Sequence, residues 1–419
     1  MYKIIIVATV LVFGLTSCYN NNDNYYRGYS NGYNHINCSD YNFMTYEELD
    51  KSVEIQASKE IDEAGKIYLF GDILLINEKN KGVHIIDNSN KSSPNSVAFI
   101  QIFGNIDIAV KDGYLYADSF MDLVIFDIRD INNIIKISRK ENVFPMDSYQ
   151  TISSNDYSLY YDRSCGFDKD KGIIVEAKDS TSSTNSSTYA NSSSTTTGKA
   201  GSMARFAIVG DNLYTINSTQ MDIFDISDPS SPTSISKVRL PWDVETLFAY
   251  SSYLYIGSSS GMYIYDNSIP TQPTKITTFS HAQSCDPVVV QEDIAYVTLN
   301  SGSSCWNNSG INRLEIVDVK NPITPILIKQ VDMWEPKGLS IDNNLLFICD
   351  GSAGLKVFDV NKTEEDGNIS VALSSISNET TLDCYDVITS NNHLIVSNSE
   401  DIRQFDYSEF PMKELGRIK

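Results

Sequence analysis

Short apolar runs of four to seven residues follow one another along most of the chain, each bounded by Gly, Pro, Asn, Asp or Ser. Rich in Ile, Val, Tyr and Phe, they read as strands, and only Thr45–Ser58 could carry a short helix ahead of one. The runs repeat. Seven times an apolar run ends in an aspartate: GVHIID to Asp87, LVIFD to Asp127, MDIFD to Asp225, MYIYD to Asp266, LEIVD to Asp318, LKVFD to Asp359 and IRQFD to Asp406. Upstream of each lies a second run, anchored by Leu74, Leu115, Leu213, Leu254, Ala295, Leu346 and Leu394. The anchor precedes the aspartate by 12 residues in four repeats and 13 in two. In the fifth it precedes by 23, because SGSSCWNNSGI (301–311) is inserted there. In four repeats a proline falls seven residues after the aspartate, at Pro94, Pro232, Pro273 and Pro325. The polar residues between them form turns, and the proline suits the first residue of a strand, which need not donate to a ladder.

Each unit thus holds four strands: one before the anchor, the anchor run, the aspartate run, and one after the proline. A unit of about 40 residues cannot bury its apolar face alone, so the units must pack on one another. Four-stranded units at this period predict an all-β, seven-bladed β-propeller of four-stranded blades. A solenoid, the alternative, would have shorter and more uniform repeats.

A propeller brings equivalent positions of its inner strands into a ring around the axis. Eight residues before each anchor stand Lys66, Asp107, Arg205, Thr246, Pro287, Gly338 and Asp386. Lys66, Asp107, Arg205 and Asp386 would place opposite charges around a narrow mouth. That arrangement predicts either mutual neutralisation at the strand starts or a site for a small polar ligand or ion.

With these residues on the page, the chain resembles the LVIVD-repeat family of bacterial propeller lipoproteins over about residues 45–408. The LVIFD-type strands carry the likeness, with GSMARF (201–206), GMYIYDNS (261–268), HAQSCDPVVV (281–290), AYVTL (295–299) and LLFICDGSAGLKVFD (345–359). The resemblance implies the propeller fold and an envelope location, and no defined activity.

The N-terminus changes the picture from a fold to a compartment. Residues 1–17 read as a signal peptide, with Lys3 ahead of the apolar run Ile4–Leu15, which is too short to span a bilayer. Leu15, Thr16, Ser17 and Cys18 resemble a lipobox, so Cys18 is the expected lipidation site. Residues 18–44, rich in Asn and Tyr, then form a flexible tether, and 45–419 the propeller. The expected location is the cell envelope, on the periplasmic or surface side of the outer membrane, with the membrane held through the N-terminal lipid. An exported chain permits disulfides. Cys285 and Cys305 flank two strands of one blade and are the candidate pair; Cys349 and Cys384 also lie near blade ends. From Asp127 to Asp225 the spacing grows to 98 residues, and the excess includes a Ser/Thr tract at 180–200 that reads as disordered.

The formal charge of −22 excludes a nucleic-acid partner, which needs a basic surface. No nucleophile elbow, zinc-binding helix, P-loop or dinucleotide fingerprint is present, and the four histidines are scattered. No catalytic residue, metal ligand or cofactor is therefore assigned. Three functions stay open: a lipid-anchored binding or scaffold module for an envelope protein or glycan; a propeller hydrolase or lyase with an axial polar or metal site; and a purely structural envelope component.

Overall fold

The computed structural model describes residues 46–62, 64–141, 143–144, 150–153, 158–161, 197–217, 219–241, 244–282, 287–301, 310–398 and 401–419. Residues 1–44, expected to be a signal peptide and a tether with Cys18, together with Cys285, Cys305 and residues 180–196, lie outside the described residues.

Seven four-stranded antiparallel blades form a β-propeller, the first extended to a six-stranded sheet, and a separate hairpin pairs Gln150–Ser153 with Ser158–Tyr161. The first strand of each blade is innermost: Ile67–Phe70, Ile108–Lys111, Phe206–Val209, Val244–Tyr250, Val288–Gln291, Leu339–Asp342 and Cys384–Ser390. These seven contact one another around the ring. Among the described residues helix is confined to Tyr46–Lys51, ahead of a strand, Glu54–Ala57, that adds to the outer edge of blade 1 by pairing with Asn95–Gln101. Among the described residues no helix is long and apolar enough to cross a membrane.

The blades are held by the layers between them. All seven anchors are 0% exposed, because each stands on the second strand where two neighbouring sheets face each other. Removing such a side chain typically costs ~2–5 kcal/mol. The repeated aspartates end the third strands and make the following turn. Six accept the backbone N–H two residues on, as in Ser89 to Asp87 at 3.0 Å, Ser227 to Asp225 at 2.9 Å and Ser268 to Asp266 at 2.8 Å. Asp359 is the exception. Its strand runs on through Glu365 and returns as Asn368–Glu379, so no turn exists there to be capped.

The ring closes by packing, without exchange of a strand between its ends. Blade 7 is built wholly from Cys384–Ile418 and meets blade 1 through Ile67, Ile76, Ile388, Ile395 and Ile402. Gln404 donates to Asn88 at 2.7 Å and Ser397 to the Gly65 carbonyl at 3.1 Å across the same seam. Between blades 6 and 7, Cys349 and Cys384 form a disulfide with Cα atoms 5.1 Å apart. Both are buried. The pairing expected for Cys285 and Cys305 falls on residues that are not described.

Candidate functional site

Each inner strand starts at one end of the channel, which we call the mouth. Three of the four axial candidates meet there. Lys66 Nζ lies 2.7 Å from Asp107 Oδ2, and the Arg205 backbone N–H donates to the same oxygen. Asp107 Oδ1 accepts the Ile108 N–H at 2.8 Å. The fourth, Asp386, is fully buried and accepts the Val387 N–H at 2.9 Å. It senses both charges across the mouth. Burial pushes its carboxyl up to about 7, with Lys66 pulling down and Asp107 pushing up. Burial also lowers the Lys66 ammonium, which Asp107 partly offsets. Of the remaining ring positions, Thr246 is buried and Gly338 donates its N–H to the Tyr385 carbonyl at 3.0 Å.

The mouth is not open. The chain returns from the long insertion along the channel and ends as a plug. Thr197 bridges to Lys111 at the far end of an inner strand, Lys199 and Ala200 pair with Leu69 and Tyr68, and the Gly201 N–H reaches the Ile67 carbonyl at 3.3 Å. Lys199 Nζ donates to the Thr389 carbonyl of blade 7 at 2.7 Å. Ser202 Oγ accepts the Leu339 N–H of blade 6 at 2.8 Å, and the Ala204 carbonyl accepts the Leu247 N–H of blade 4. One short segment therefore touches blades 1, 2, 4, 6 and 7 before starting blade 3. Gly201, Ser202 and Ala204 are buried. Small residues are required because a Cβ on Gly201 or on Gly338 would collide with the Asp386 carboxyl. Residues 197–200 were expected within a disordered tract. Instead Lys199–Ala200 form a strand and Thr197 an isolated bridge, because the free inner edges of blades 1 and 2 supply ladder partners that composition alone does not reveal.

Two partners escaped sequence reasoning. Asp118 Oδ1 accepts the Ile106 and Asp107 N–H groups at 2.7 and 3.0 Å, and Asn105 Nδ2 at 2.8 Å. Burial raises its carboxyl to about 7, against those hydrogen bonds. Asn105 lies in the loop before the inner strand and Asp118 near the end of the second strand, both outside the eight-residue count from the anchors. The only sequence signal for the plug is the run of small residues in GKAGSMA (198–204). Arg205 is half-buried, and its guanidinium makes no ion pair among the described residues. Two of the histidines contact polar side chains of the blades. His393 is buried against Gln404 at 2.6 Å and burial lowers it to about 4; His84 lies 3.4 Å from Glu78. Among the described residues no three His, Cys, Asp or Glu side chains are arranged to hold a metal ion.

The LVIVD repeat model matches residues 63–99, 106–139, 200–239 and 308–333, which lie in blades 1, 2, 3 and 5. No curated protein matches the sequence. Among solved structures, the computationally designed Ika8 protein is 10% identical over 86% of this chain and 89% of its own, with a TM-score of 0.50. A protein from Bacteroides uniformis assigned as a 6-phosphogluconolactonase is 9% identical over 84% and 95%, at 0.51. BamB from Moraxella catarrhalis is 9% identical over 80% and 79%, at 0.45, too low to carry weight. At such identities these likenesses concern the fold alone. Blades 4, 6 and 7 share the strand order, bulge position and buried anchor of the matched blades, so the whole ring follows one repeat. The chain is a seven-bladed β-propeller, four of whose blades match the LVIVD repeat.

Proposed function

We propose that this protein is a lipid-anchored binding or scaffold module of the cell envelope, presenting the mouth face of its propeller to a protein or glycan. The observation that carries this reading is the plug. Residues 201–204 close the mouth end of the channel, so recognition is confined to the surface around it. There Arg205 offers a half-buried guanidinium without an ion pair among the described residues, beside the Lys66–Asp107 pair. Such a group suits a carboxylate or phosphate of a partner.

The envelope location rests on the short apolar run before Cys18 and on the buried Cys349–Cys384 disulfide, a bond that persists in oxidising compartments. Cys18 would hold lipid in the outer membrane, and residues 18–44 would tether the ring. Two measurements test the reading. Cys18→Ala should leave the membrane fraction and keep its leader; membrane fractionation with normal mass refutes the anchor. Cross-linking in intact cells, followed by capture of the protein, should retain a partner that Arg205→Ala loses. Capture of nothing by the parent protein would leave a structural envelope component instead.

A further inference from the structure

We infer that the hollow at the mouth end of blade 5, beside its connection to blade 6, is a carbohydrate site, taking a neutral sugar that stacks on Trp334. It lies on the face invoked above but uses residues of its own. A cavity of about 520 Å³ is lined there by Gly310, Asn312, Arg313, Asp332, Met333 and Trp334, among others. That is within the ~300–1,000 Å³ of small-molecule sites.

Trp334 is 65% exposed, the highest value, shared with Ile323, among the large apolar side chains described. Yet its backbone is pinned. The N–H groups of Trp334 and Glu335 both donate to the Asp350 carboxylate, at 2.9 and 2.8 Å. Asp350 is fully buried and paired with Lys356. The Trp334 carbonyl accepts Asn312 Nδ2 at 2.5 Å, and Asn312 Oδ1 accepts the Ser301 N–H at 2.8 Å. The fold thus spends five polar groups on fixing the backbone of a residue whose indole remains in water. A backbone fixed in advance removes part of the ordering cost of presenting that indole to a ligand.

Polar groups of both kinds share the hollow with it. Arg313 donates through Nε and Nη2 to Glu315, which leaves Nη1 without a hydrogen bond among the described residues. Asp332 is exposed and makes no ion pair among the described residues. A pyranose offers one flat C–H face for the indole and a belt of hydroxyls. Those hydroxyls can donate to Asp332 and accept from Arg313 together. An apolar ligand would leave both unmatched. A bare cation would use Trp334 and Asp332 but face the Arg313 charge. An anion would meet Asp332 and a protein of net charge −22.

Calorimetric titration of the full-length protein with neutral tetrasaccharides of β-1,4-glucose, α-1,4-glucose, β-1,4-mannose and β-1,4-N-acetylglucosamine tests this. At least one should bind. Trp334→Ala should weaken it at least tenfold and Asp332→Asn severalfold, while Arg205→Ala leaves it unchanged and all three variants melt as the parent does. Absence of binding by all four sugars overturns the inference. So does equal binding by Trp334→Ala, or binding of tetramethylammonium, in place of any sugar, that Trp334→Ala abolishes. A failed capture from cells bears on the module reading alone, and a failed titration on this site alone.

Discussion

Removing the Cys349–Cys384 bond by a double substitution to Ala isolates one cross-link from the other cysteines. The bond closes a loop with a sequence separation of 35 residues. Chain entropy in the unfolded state then falls by about 2.1 + 1.5R ln 35 ≈ 13 cal/mol/K, or about 4 kcal/mol at 25 °C. The location argues for retaining most of that value. The cysteines join the end of a blade 6 strand to the start of a blade 7 strand, where main-chain bonds already align them: the Cys349 N–H reaches the Gly338 carbonyl at 2.9 Å, and Gly351 bridges to Cys384. The bond therefore joins segments already held side by side and chiefly constrains the unfolded chain. Urea unfolding of parent and variant under non-reducing conditions should give a difference near 4 kcal/mol at an unchanged or slightly larger m-value. Equal stabilities would refute the reasoning. Labelling of both thiols in the denatured, unreduced parent would refute the bond itself.

The same method tests four further expectations. Asp386 titrates at about 7 when folded against 3.8 otherwise, so its contribution is full below pH 3.8, falls by about 4 kcal/mol as pH rises to 7, and is flat beyond. Asp386→Asn should therefore be less sensitive to pH between 4 and 7, and an identical slope in variant and parent counts against this. Gly201→Val should lose ~1–3 kcal/mol through collision with Asp386; an unaltered melting curve would mean that the plug is loose. Replacing 180–196 with a short Gly/Ser linker should change stability by less than ~1 kcal/mol, whereas extending the replacement through 200 should cost clearly more, because it deletes the strand on Tyr68 and Leu69. Asp225→Ala should cost ~1 kcal/mol by freeing the Ser227 N–H, and Asp359→Ala distinctly less; equal losses would contradict the turn-capping role.

Blade count, strand order and the buried anchors were determined by the sequence itself. They are local and repeated: apolar alternation specifies a strand, Asx chemistry specifies a turn, and seven copies leave few ways to bury seven apolar faces. The same count from the anchors put Lys66, Asp107 and Arg205 at strand starts, and the ring brought them together. Only the tertiary structure decided what those charges meet. The plug at 197–204 draws its partners from five blades, and a Gly–Lys–Ala–Gly run carries no strand signal until a free inner edge lies beside it. The Cys349–Cys384 bond and the Trp334 hollow likewise depend on how one blade turns against the next. That rotation is set by packing between sheets, which no single repeat encodes.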